Sequence, residues 1–153
     1  MMKRIVWIII ALVVFGRLFF AWRDMRAVHP APVAMVASQG ENISVISPAA
    51  HTRITSPLTV TGEARGTWYF EASFPVELLD ANHHEILNAD GNAVASVPAQ
   101  AQGEWMTENF VPFIATLDFT PPATDTGFLV LKKDNPSGLP EHDAQVEIPV
   151  RFR

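Results

Sequence analysis

The chain has 153 residues, 48% of them apolar, and its 11 basic and 16 acidic side chains leave a net charge of -5. Residues 27–153 alone hold six basic side chains against 15 acidic ones, a net charge of -9, which argues against nucleic-acid binding and against adhesion to anionic lipid. There is no cysteine, so disulfides, thiolate chemistry and a thioether-linked lipid are excluded.

Lys3 and Arg4 precede an almost unbroken apolar run over residues 5–22, interrupted by Gly16 and Arg17. A short positive head before such a run directs a chain to a membrane and exports its carboxyl-terminal remainder. The run has the length of a membrane span, whereas its uninterrupted part, residues 5–16, has the length of a cleavable leader's core. Bulky residues Leu18 to Trp22 make a poor cleavage region, which favours a retained signal-anchor helix over residues 1–26. In that reading Arg17 reaches the outer headgroups and the carboxyl-terminal part lies outside the cytoplasmic membrane. The alternative is a secreted or periplasmic protein after cleavage.

Residues 27–42 hold two prolines and many small side chains with no amphipathic period, and are expected to form an extended tether. The remaining residues 43–153 suffice for one domain. Their dominant period is two. Leu58 and Val60, then Trp68, Phe70, Ala72 and Phe74, then Phe113, Ala115, Leu117 and Phe119, then Val146, Ile148, Val150 and Phe152, each mark one face of a predicted strand. Residues 76–79 and 128–131 read as central strands. Turns are expected at Ser47-Pro48, Gly62-Glu63, Asp90-Gly91-Asn92, Pro121-Pro122 and Asn135-Pro136-Ser137-Gly138. Ten prolines from Pro48 to Pro149 exclude long helices. The pattern predicts an all-β sandwich of seven or eight short strands, with Pro149 at an edge or a bulge of the last one.

Chemistry-bearing residues are few. His83 and His84 are adjacent and therefore diverge on a strand, and no histidine spacing fits a zinc site. Asp134 and Asp143 are weak calcium candidates within the acidic and amide-rich stretch that also holds Asn135 and Glu141. Glu104 and Glu108 are a conceivable acid–base pair, but their flank reads as a strand or turn with Trp105 and Phe110 turned inward. No nucleophile motif or phosphate-binding loop is present, and no cofactor is expected. Tyr69 is out of phase with Trp68 and Phe70. It lies either in the core, through a bulge, or on the outer face, where Leu79, Ile114 or Leu129 would join it in a patch.

The stretch Ile54-Thr55-Ser56-Pro57-Leu58-Thr59-Val60-Thr61-Gly62-Glu63-Ala64, followed by Gly66-Thr67-Trp68-Tyr69-Phe70-Glu71-Ala72-Ser73-Phe74-Pro75-Val76, has a family look. So do Gly103-Glu104-Trp105-Met106, Gly127-Phe128-Leu129-Val130-Leu131 and Asp134-Asn135-Pro136-Ser137-Gly138-Leu139-Pro140-Glu141. Together they resemble the bacterial immunoglobulin-like domain associated with spore germination proteins. The resemblance implies an exported or envelope-attached immunoglobulin-like sandwich without catalytic residues. The expected function is a non-catalytic, membrane-anchored module that binds an envelope protein. Alternatives are a module that binds glycan or calcium, and a hydrolase. Tyr69, Trp105, Asn135 and Glu141 are the candidate partner contacts, although Trp105 also suits a core plug and the loop of Asn135 a turn.

Overall fold

The computed structural model describes residues 38–88, 90–91 and 97–153. The expected anchor over residues 1–26, most of the tether and Asn92 lie outside the described residues. Among the described residues no helix is long and apolar enough to cross a membrane.

Among the described residues eight strands run in chain order: β1 (Ser38–Gln39), β2 (Ile43–Ser47), β3 (Leu58–Arg65), β4 (Ser73–Asp80), β5 (Val97–Ala101), β6 (Phe110–Leu117), β7 (Thr126–Lys132) and β8 (Gln145–Arg151). β1 falls inside the stretch read as tether and pairs with β2. The strand order is β1-β2-β3-β6-β5-β4-β7-β8, and every ladder is antiparallel. β5 joins two halves: Gln100 is opposite Ile114 of β6 on one side and Ser73 of β4 on the other.

The alternating apolar residues turn inward because only that face escapes water. Val60 of β3 and Val111, Phe113, Ala115 and Leu117 of β6 are buried, as are Val76 and Leu78 of β4 and Ile148 and Val150 of β8, and all join one core. The rings of Phe74 and Phe113 meet edge to face at 5.0 Å, so the two halves of the sheet pack on each other through β4 and β6. β4 and β7 are central, as their apolar runs predict.

The β8 side of the fold is covered. Residues 51–54 add to β8 in parallel: the amides of His51 and Ile54 donate to the carbonyls of Pro149 and Arg151, and the Arg151 amide donates to Thr52. β8 is the last strand of the sheet order, and this short segment covers its outer side. In an antiparallel pair the N–H and C=O of one residue share a side. The Pro149 carbonyl faces the added segment, so its missing donor costs the ladder with β7 nothing.

Two expectations are corrected. Gly62-Glu63 is not a turn: Gly62 is buried inside β3, where a β-carbon would land on the Ser44 carbonyl oxygen and 2.7 Å from the Phe113 ring. The glycine is there for close approach of strands, not for a bend. The run from Trp68 to Phe74 is not one strand either. Gly66–Trp68 form a 3-10 turn, and Phe70 and Ser73 exchange backbone hydrogen bonds around Glu71 and Ala72, which have φ of 50° and 62°. That tight turn reverses the chain and resets the phase, so Tyr69 is buried and Phe70 is exposed.

Candidate functional site

Three connections converge on one end of the sandwich: residues 66–72, 102–109 and 133–144. β3 ends and β6 begins at the paired residues Arg65 and Phe110, which places the first two together. The Gly66 amide donates to the Asn109 carbonyl at 3.1 Å, and a β-carbon on Gly66 would strike the carbonyl oxygens of Trp105 and Thr107. The third connection is held by the Asp134 amide, which donates to the Trp68 carbonyl at 3.0 Å.

Local hydrogen bonds stiffen each connection. In residues 102–109 the Met106 amide donates to the Glu104 carboxylate at 3.1 Å, and the Asn109 amide to the Thr107 hydroxyl at 3.2 Å. The Arg65 guanidinium donates to the Glu108 carbonyl at 2.9 Å and lies 4.6 Å from the centre of the Phe110 ring. Phe110 is 37% exposed, so the inward orientation expected for it is corrected: its β6 neighbour Val111 holds the inward phase. Trp105 is partly buried and packs on the core, as a plug would.

In residues 133–144 Asn135 is the hub. Its amide nitrogen donates to the Leu139 carbonyl at 2.8 Å and to the Asp143 carboxylate at 2.6 Å, and its amide oxygen accepts from Ser137. Asn135 therefore shapes the loop, and Asp143 is engaged in the same task. Glu141 is exposed in the 3-10 turn Pro140–His142. A groove of about 470 Å³ beside this loop is lined by Pro75, Lys132, Lys133, Asp134 and Asp143 among others. Its two ammonium groups oppose a cation there: Lys132 pairs with Glu77 at 2.7 Å and Lys133 donates to the His142 carbonyl at 3.1 Å. Among the described residues no three acidic or histidine side chains are grouped to hold a metal ion. His83 and His84 diverge, the first stacking on Phe128 at 4.5 Å and the second facing Asp80.

Tyr69, Trp105, Asn135 and Glu141 thus all fall at this one end, but Tyr69 cannot contact a partner. Only 5% of it is exposed, and its hydroxyl donates to the Val111 carbonyl at 2.7 Å. Its expected neighbour Leu129 is fully buried as well. What sequence reasoning missed is the set of apolar tips. Seven large apolar side chains are exposed among the described residues, and Phe70, Met106, Phe110 and Leu139 of these belong to this end. Met106 is 74% exposed. The available signal was its place between turn-forming residues, outside any alternating run.

Strands β2-β3-β6-β5 over β4-β7-β8 reproduce the layering of an immunoglobulin-type sandwich, in which the connections β3–β4, β5–β6 and β7–β8 share one end. The chain belongs to the family described as the immunoglobulin-like domain of bacterial spore germination, whose sequence profile matches residues 42–139. No curated protein matches the chain, and no solved structure does.

Proposed function

We propose that this chain is a non-catalytic binding module of the bacterial envelope, held at the membrane by residues 5–22, and that it engages a protein partner through the loop end. The observation that carries this reading is the concentration of exposed Phe70, Met106 and Leu139 on three internally bonded connections, with exposed Phe110 at the adjoining start of β6. Apolar anchors on rigid loops bind with little ordering cost, whereas scattered apolar residues do not form an interface. The family's description supports a partner in the germination machinery or a related envelope assembly.

Cross-linking and pull-down of the full chain from solubilised envelope test the reading. A reproducible partner recovered by the unaltered chain and lost with Phe70→Ser combined with Met106→Ser is the expected result. Equal recovery by both forms overturns it, and so does recovery of no partner by either.

A further inference from the structure

We infer that the loop end takes a cationic, amphipathic polypeptide surface: an apolar stripe or pocket bordered by lysine or arginine. The inference rests on the reading that this end is a binding site, and it names the chemistry of the molecule that binds.

The three connections carry Glu71, Glu104, Glu108, Asp134, Glu141 and Asp143 against one basic side chain, Lys133. The three connections that carry or border the apolar tips therefore hold a net charge of -5, out of -9 for residues 27–153. Arg65, at the base, is already occupied with the Phe110 ring and the Glu108 carbonyl. Apolar tips on connections this acidic reject an anionic bilayer, because inserting Phe70 or Met106 would bring the neighbouring carboxylates towards the headgroups. They reject a second copy docked end to end for the same reason. A partner with positive charge around an apolar centre satisfies both features at once. The apolar contacts supply most of the affinity, and the charges set encounter rate and choice of partner. The Arg65–Phe110 stack shows the same chemistry within the chain: a guanidinium lying over an exposed ring at this end.

The test uses the full chain in neutral detergent micelles, with empty micelles as reference, and three short helical peptides as probes. One is amphipathic with leucine and lysine, one has glutamate in place of every lysine, and one is the lysine peptide scrambled to abolish its apolar face. The amphipathic lysine peptide is expected to bind alone among the three, and more weakly in ~1 M salt, where screening acts within ~3 Å, than in ~0.1 M. Phe70→Ser with Met106→Ser is expected to weaken it about tenfold or more. Glu71→Gln, Glu108→Gln and Glu141→Gln together are expected to weaken it and to flatten the salt dependence. Equal binding of the lysine and glutamate peptides overturns the inference, as does undiminished binding by either variant. Binding of the scrambled peptide as tight as that of the amphipathic one overturns it too, since bulk charge alone then suffices. A partner recovered by pull-down through Phe70 and Met106, but with an acidic or neutral contact surface, overturns this inference and leaves the proposed function standing.

Discussion

The phenol of Tyr69 donates a 2.7 Å hydrogen bond to the backbone carbonyl of Val111, which fastens the turn before β4 to the start of β6. The ring packs edge to face on Phe74 at 5.2 Å, and Phe74 in turn meets Trp68 and Phe113. One buried polar atom thus registers the loop end against the core. Tyr69→Phe keeps the packing and removes the donor, so it is expected to cost about 1 kcal/mol in denaturant unfolding.

The same burial, helped by the charge of Glu63 and opposed by the Ala64 amide, pushes the Tyr69 phenol well above its ordinary value. The folded chain keeps its proton after the unfolded chain has lost it. The contribution is full below the unfolded value of about 10 and is lost as pH rises from there towards the folded one. Tyr69 is the one tyrosine in the chain, so phenolate absorbance should appear together with alkaline unfolding and not before it.

At the acid side Asp80 is the group to watch. The amides of His84 and Asn82 donate to its carboxylate at 2.9 and 2.7 Å. The His84 amide, the largest influence, is opposed by desolvation, the second largest, and together with the Asn82 amide and the charge of His84 it holds the carboxyl below the usual range. Stability from this depression is present above the unfolded value of about 3.9 and is lost as pH falls through the lower folded value. Thermal unfolding of Asp80→Asn followed from neutral to acid pH should show a shallower acid limb than the unaltered chain.

Gly62→Ala is expected to destabilise by about 1–3 kcal/mol or to prevent folding, because the added methyl meets the Ser44 backbone oxygen and the buried Phe113 ring. Gly103→Ala serves as contrast. Nothing lies within 4 Å of its added carbon, and a change within about 0.5 kcal/mol is expected in the same denaturation experiment.

Glu71 and Ala72 occupy the left-handed region that favours asparagine and glycine in a two-residue hairpin. Replacing them together, Glu71→Asn with Ala72→Gly, should raise stability by roughly 1–2 kcal/mol, read as a higher unfolding midpoint. No change would mean that the turn is not strained as its φ angles indicate.

The residues that were legible in the sequence are those with one wet face and one dry. β3, β6 and β8 alternate because each has that asymmetry, and their inward phases at Val60, Phe113 and Ile148 come directly from it. The turn at Glu71-Ala72 was hidden because neither residue carries the asparagine or glycine signal, so Trp68 to Phe74 looked like one strand. Gly62 was ambiguous for a related reason: a glycine marks a bend or a close approach equally, and the choice depends on where Ser44 and Phe113 sit. The loop end was not legible at all as a unit. Phe70, Met106 and Leu139 are 33 to 69 residues apart in sequence, and strand order, not local pattern, brings their connections together.

The parallel bonds between residues 51–54 and β8 also have a mechanical meaning. Tension drawn between Gly40 and Arg153 pulls the two segments along their length in opposite directions. The three hydrogen bonds at His51, Thr52 and Ile54 must then yield in shear as a group instead of unzipping one by one. An assembly that tugs on this module along that line loads these bonds together.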